Sequence, residues 1–147
     1  MKFRLVNLSL FLLFLTACFS SSESLSITSD DVLYIYDGDT ITIRCIGGYQ
    51  CDAKGRIHVR VKGVDTAEMR GKCKSEIRLA RKAKKFTVAR IRNSRSIELV
   101  VNQKNVYDRY KRLLAEVIID GEDLSQSLIE ADLGRDYHGG YRDGWCD

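Results

Sequence analysis

Residues 57–92 read IHVRVKGVDTAEMRGKCKSEIRLARKAKKFTVARIR. The stretch opens in strict alternation. Ile57, Val59 and Val61 fall on one face and His58, Arg60 and Lys62 on the other, the period of a half-buried strand. The period then changes: Leu79, Ala83, Phe86 and Arg90, with Ala80 and Ile91 beside them, recur at helical spacing, which predicts a helix from about Ser75 to Arg92. Upstream, Val32–Tyr36 and Thr40–Arg44 are β-type runs broken by the turn signal Asp37-Gly38-Asp39. Downstream, Ile97–Val101 and Leu113–Ile119 read as two more strands, the last ended by Asp120-Gly121. A short helix follows over about Leu124–Leu133, with Leu124, Leu128 and Ala131 inward and Gly134 as its C′ residue. Three strands, a helix, two strands and a helix is the order of a five-stranded OB-fold barrel of the mainly β, α+β class, with one helix between strands 3 and 4 and a short one after strand 5. Ubiquitin-like and other small α+β folds give similar strings, so the order alone leaves the fold open.

The chain has 147 residues, enough for one ordinary domain. Hydrophobic residues make up 44%, which supplies a core and excludes wholesale disorder. Gly is 11 and Pro 0, which excludes collagen-like and Pro-rich linker classes. With 2 His, a His-rich zinc site or a His relay is not expected.

Residues 1–17 read as an export signal. Lys2 and Arg4 form a charged head, Leu8–Leu15 is almost wholly apolar, and Leu15-Thr16-Ala17-Cys18 closes the segment with small residues. The run is too short to span a bilayer. The Leu-Thr-Ala-Cys ending resembles a bacterial lipobox, which would make Cys18 the lipidated N-terminus and a membrane anchor; an ordinary signal peptide cut near Ala17 is the alternative. Phe19 is not the Asp that signals inner-membrane retention, so the expected address is the periplasmic side of the envelope, outer membrane favoured, or the medium. Residues 18–30 are Ser-rich and suit a tether, leaving residues 31–147 as the folded domain.

Export changes how the cysteines read. Setting Cys18 aside, Cys45, Cys51, Cys73 and Cys146 remain, an even number for an oxidising compartment, and no Cys-x-x-Cys pair suggests metal. Four cysteines allow three connectivities. Cys45 with Cys51 is favoured because the two flank Gly47-Gly48, and Cys73 with Cys146 then follows by elimination.

The formal net charge of +4 conceals a polarity. Arg70–Arg95 carries eleven Lys or Arg and one acid, whereas Glu116–Asp136 carries seven acids and one base. Such a basic segment suits a polyanion partner, or a solvated helix face. The polar residues at strand ends sharpen this. Asp37, Asp39 and Thr40 sit where a strand turns, Asp65, Thr66 and Glu68 where the third strand ends, and Tyr110-Lys111-Arg112 opens the fifth strand. Clustered carboxylates suit a hard divalent ion. Arg60 and Arg112 could clamp a phosphodiester and neutralise the charge that grows on it, and a third carboxylate could take a proton from water.

At these residues the chain resembles the staphylococcal (micrococcal) nuclease, or thermonuclease-like, family. Asp-Gly-Asp-Thr, Val-Arg-Val-x-Gly-Val-Asp-Thr-x-Glu and Asp-x-Tyr-x-Arg-x-Leu-Ala recur in the family's order over about Val32–Gly134. The resemblance implies an OB-fold, calcium-dependent endonuclease that hydrolyses DNA and RNA to 3′-phosphate and 5′-hydroxyl products. It implies that Asp39 and Asp65 bind calcium through carboxylates and Thr66 through its carbonyl. Glu68 would be the general base, and Arg60 and Arg112 would hold the scissile phosphate in its transition state. Arg109 and Tyr110 match positions that contact the substrate's terminal phosphate and base. A monomer is expected.

Three departures stand out. Ala67 replaces the family's usual Pro between Thr and Glu, and Lys111 replaces the Gly before Arg112. The family's long third helix is missing, and the Cys73–Cys146 bridge reads as its substitute in holding the chain end. The alternative to an enzyme is a non-catalytic OB module that binds nucleic acid on the cell envelope. Such a binder has no reason to keep Asp39, Arg60, Asp65, Glu68 and Arg112 together. A saccharide-binding envelope protein predicts aromatic rows on the strand face, where this chain has charges.

Overall fold

The computed structural model describes residues 22–146, a mixed α+β fold made mainly of strands with two helices. In chain order these are β1 (Ser22–Ile27), β2 (Val32–Ile35), β3 (Thr40–Arg44), β4 (Arg56–Val61), β5 (Gly63–Thr66), α1 (Lys74–Arg92), β6 (Ile97–Asn102), β7 (Leu113–Ile119), β8 (Glu122–Asp123), α2 (Leu124–Glu130) and β9 (Gly134–Tyr137). The main sheet runs β1-β6-β7-β4-β3-β2, with β8 beside β7. Its β4–β7 pair is parallel, while every other named pair is antiparallel. The hydrogen-bonded path is open. Its two ends, β1 and β2, are consecutive segments joined through a 3₁₀ turn at Ser29–Asp31, so the chain rather than a ladder links the edges.

The alternating strand behaves as its pattern requires: Ile57, Val59 and Val61 are fully buried. They meet Ile41, Ile43, Leu99, Val101, Leu113, Val117 and Ile119 in one core, closed at one end by Leu124 and Leu128 of α2. Each large aliphatic side chain there contributes about 1.5–3 kcal/mol by leaving water. The polar side of β4 is not uniformly wet. His58 is half-buried, but Arg60 is only 4% exposed, because that face turns under the mouth of the sheet.

Several expectations need correction. The Ser-rich segment is not a tether from residue 22 onward, because Ser22–Ile27 pairs along its whole length with β6 and buries Ile27. Its Leu25-Ser26-Ile27 alternation is a strand signal that serine content masks. Helix α1 buries Ala80, Ala83 and Ile91 from the expected set and adds Glu76 and Thr87, while Leu79, Phe86 and Arg90 are only half-buried. Helix α2 stops at Glu130, so Ala131 is exposed. The left-handed residue past its end is Asp132 (φ 56°) rather than Gly134. Gly134 instead begins β9 and lies so close to Val64 that a Cβ there would collide. That strand pairs with β5 in a second, two-stranded sheet absent from the sequence reading.

Both expected disulfides are formed, Cys45–Cys51 and Cys73–Cys146, with Cα separations of 5.7 and 5.9 Å. The signal segment and Cys18 lie outside the described residues.

Candidate active site

The β2–β3 turn delivers the first carboxylates. Gly38 sits where a Cβ would come within 2.8 Å of both Ala83 on α1 and Thr66 on β5, so only glycine lets the turn pack this closely. Thr87 of α1 donates to the Gly38 carbonyl at 2.8 Å and pins the turn from the helix side. Asp37 and Asp39 are consequently buried, at 4% and 3% exposure. One Asp39 oxygen accepts the Thr66 backbone amide at 2.8 Å, and the other accepts the Thr40 hydroxyl at 3.0 Å.

The parallel β4–β7 core and the short β5 bring the remaining groups to that turn. Arg60 Nη2 lies 3.2 Å from Asp39 Oδ2 and 3.6 Å from Asp65 Oδ1, with all three side chains buried. Arg60 Nη1 donates to the Val61 carbonyl at 2.6 Å, which aims the guanidinium between the two carboxylates. Arg60 Nη2, Asp65 Oδ1 and the Thr66 hydroxyl are nonetheless buried without a hydrogen bond of good geometry. Burial, then the charge of Asp39, pushes the Asp37 carboxyl up to about 8. Burial also raises Asp65, opposed by Arg142. Asp37 and Asp65 are therefore both disfavoured as anions in this setting.

Arg112 reaches the same network from the other side of the mouth. Its guanidinium is held by Asp108 at 2.7 Å and donates to the Thr40 hydroxyl at 3.4 Å, one hydrogen bond from Asp39. The Asp108 carboxylate also accepts the amides of Tyr110 and Arg112, which builds the turn. Burial raises the Asp108 carboxyl, but its bonds with Arg112 outweigh this and hold it below the ordinary carboxylate range. Lys111 occupies a left-handed conformation (φ 61°), where the family's glycine fits without strain. Arg109 and Tyr110 are exposed, and the guanidiniums of Arg109 and Arg112 stand 4.8 and 5.3 Å from the Tyr110 ring centroid. These two residues sit at the rim rather than with the carboxylates.

Glu68, half-buried after β5, is not free. Arg142 bridges it to the buried carboxylate, with Nη1 at 3.1 Å from Glu68 Oε1 and Nη2 at 2.7 Å from Asp65 Oδ1. Trp145 adds an indole N–H to Asp65 Oδ2 at 3.3 Å. Burial alone would lower the Arg142 pKa, but Asp65, Asp39 and Glu68 raise it. Arg142 and Trp145 had no role in the sequence reading, and Thr40 and Asp108 lay inside the quoted motifs without one. The signal for the tail was available: a Cys73–Cys146 bond must carry residues just before Cys146 past Glu68, which precedes Cys73 by only a few positions.

The donor set suits a hard divalent cation. Asp37, Asp39 and Asp65 offer oxygen atoms only, and two of the carboxyls are destabilised as anions by burial. Asp39, Asp65 and Thr66 are the residues that could hold such an ion. The Cys73, Cys146 and Glu76 atoms also cluster, but the two sulfurs are bonded to each other and offer no thiolate.

No curated protein matches the chain. A family model described as "Staphylococcal nuclease homologue" matches residues 58–143. The match takes in Arg60, Asp65, Thr66, Glu68, Arg109, Tyr110, Arg112 and Arg142, and begins after Asp39. It spans more than half of the sequence, and the geometry just described contains the motifs that first suggested the resemblance. The chain belongs to the staphylococcal nuclease homologue family.

Proposed function

We propose that this protein is an exported, calcium-dependent endonuclease that hydrolyses phosphodiester bonds of DNA and RNA to 3′-phosphate and 5′-hydroxyl products. Family membership supports a nuclease-type hydrolase acting on nucleic acid. The observation that carries the finer reading is the single polar network linking Asp39, Arg60, Asp65, Glu68 and Arg112 through Thr40 and Arg142. These positions are scattered along the chain, and a passive binding surface has no need of their convergence.

Calcium held by Asp39, Asp65 and Thr66 would supply positive charge that lets the anionic backbone approach the carboxylates. Arg60, fixed between Asp39 and Asp65, presents a charge that cannot drift as the phosphate develops negative charge. Arg112, oriented by Asp108, supplies a second guanidinium from the opposite rim. Glu68 would accept the proton of an attacking water. Tyr110 and Arg109 offer a stacking face and a cation for the flanking nucleotide. The exposed bases of α1, among them Lys74, Arg78, Lys82 and Lys85, extend a polyanion-binding face. Attachment to the envelope through Cys18, and a monomeric state, complete the reading.

Incubation of the purified, oxidised protein with single- and double-stranded DNA and RNA tests this directly. Calcium-dependent cleavage, stopped by a chelator, with 3′-phosphate ends is expected. Tight nucleic-acid binding without cleavage at any calcium concentration would assign the protein to the non-catalytic binding modules instead.

A further inference from the structure

We infer that the C-terminal tail, residues 138–146, is a built-in competitor for the metal site, with the Arg142 guanidinium occupying the carboxylate oxygens that a divalent cation must take. The inference rests on the calcium reading above. Four features of the fold converge on it. First, β9 lies antiparallel to β5, with Arg135 opposite Asp65 and Gly134 opposite Thr66, so the chain leaves the sheet beside the metal ligands. Second, Gly139 (φ 102°) and Gly140 (φ 95°) adopt consecutive conformations that side-chain-bearing residues rarely take, and the Tyr137 hydroxyl donates to the Gly140 carbonyl at 3.0 Å. This turn sends the chain back over the site instead of away from it.

Third, the returning segment makes polar contact where the chemistry is expected. Arg142 meets Asp65 at 2.7 Å and Glu68 at 3.1 Å, and Trp145 meets the other Asp65 oxygen at 3.3 Å. Both Asp65 oxygens are thereby engaged by the tail, and the expected proton acceptor is tied into an ion pair. Fourth, the end is fastened. Arg135 donates to the Gly144 carbonyl at 2.9 Å and lies 3.8 Å from the Trp145 ring, and Cys146 is bonded to Cys73.

Residues 138–146 form no helix or strand, and most of them are exposed. Little apolar surface therefore holds the strap closed; the ion pairs and the disulfide do. Such a segment is drawn from the low-stability end of a fold and can open without unfolding the sheet. A guanidinium and a divalent ion compete for the Asp65 oxygens that the tail contacts, so each lowers the apparent affinity of the other. Opening also frees Glu68 from its ion pair with Arg142, which couples metal loading to release of the base.

Calorimetric titration of the oxidised protein with calcium, read in parallel through tryptophan emission, tests the competition. Trp145 is the chain's one tryptophan, so its emission reports the strap directly. Calcium is expected to change that emission in the wild type. Arg142→Gln is expected to bind calcium at least about tenfold more tightly, since the closed fraction that discounts affinity is lost. Cys73→Ser/Cys146→Ser should shift affinity in the same direction by freeing the strap's end. Should Arg142→Gln fold poorly, Arg142→Lys, which keeps one charge but not the two-point contact, is expected to tighten calcium a few-fold. Equal calcium affinity in the wild type and the Arg142 variants overturns the competitor and leaves the nuclease reading standing. Calcium binding in none of them overturns the competitor and the calcium requirement together, and cleavage under a chelator then separates the nuclease activity from both.

Discussion

Asp65 is held from two sides by very different means. On one side stand Arg60, Asp39 and Thr66, delivered by β4, the β2–β3 turn and β5. On the other stand Arg142 and Trp145, delivered by an irregular tail that one disulfide and a few ion pairs hold down. Strand register fixes the first set: Arg60 pairs with Thr40 across β3 and β4, so moving it requires breaking the sheet. Nothing of that kind fixes the second. The difference teaches which half of the site is permanent and which can be exchanged for a ligand.

Glu68 stands at the junction of the two halves, and its replacement is expected to have the largest effect. Glu68→Gln removes a proton acceptor while keeping shape, and should lower the cleavage rate by about 10²–10⁴-fold. Calcium and substrate binding should persist, because Glu68 is not among the proposed ligands. Single-turnover cleavage of a defined oligonucleotide measures this. An unchanged rate would remove Glu68 from the chemistry and leave the tail's ion pair with it a structural contact only.

The same division explains what could be read from the chain alone. The strand-borne half was legible because its determinants are local: alternation places Arg60, and turn chemistry places Asp37 and Asp39. The short motif around Asp65 then sits where an alternating strand gives way to a helix. The tail-borne half has no periodicity, and its position depends on a bond between residues 73 apart in sequence. Pairing that depends on distant partners, as in β5–β9 and in β1 with β6, was likewise invisible. Gly134 illustrates the failure well. A helix-stop reading was natural for a glycine past α2, but the residue is small because Val64 lies against it.

A second way to probe the permanent half uses protons. Burial and the charge of Asp39 raise the Asp37 carboxyl to about 8 in the fold, against an ordinary value near 3.8. A group that holds its proton more tightly when folded contributes stability that is complete below about pH 4 and is lost as pH rises through 8. With calcium chelated, denaturant midpoints should therefore fall across that window, with a slope approaching ~1.4 kcal/mol per pH unit. Asp37→Asn should flatten the slope. A wild-type profile that rises over the same window would mean that Asp37 is ionised and paired in the fold.

The two disulfides offer a comparison of covalent restraints. Removing Cys73–Cys146 opens a loop spanning half the chain and should cost on the order of 4 kcal/mol in the chain-entropy model, against about 2 for the short Cys45–Cys51 loop. Urea denaturation of Cys73→Ser/Cys146→Ser and Cys45→Ser/Cys51→Ser ranks them. A larger loss from the short loop would show that the tail adds little to the folded body, and that its bridge serves position more than stability.

The smallest expected effect separates charge from shape within the tail itself. Trp145 contributes one neutral hydrogen bond to Asp65 and an aromatic face to Arg135, whereas Arg142 contributes a full charge to two carboxylates. Trp145→Phe keeps the ring over Arg135 and deletes only the N–H donor. A hydrogen bond to a charged acceptor is worth roughly 1.5–3 kcal/mol when well formed, and a long, partly wet one should fall at or below about 1 kcal/mol. Calcium affinity in Trp145→Phe should therefore rise by no more than about fivefold, clearly less than in Arg142→Gln, with stability nearly unchanged. If instead Trp145→Phe matches or exceeds the arginine variant, the strap is held by its indole. The guanidinium would then be a passenger on a segment positioned by Arg135 and the Cys73–Cys146 bond.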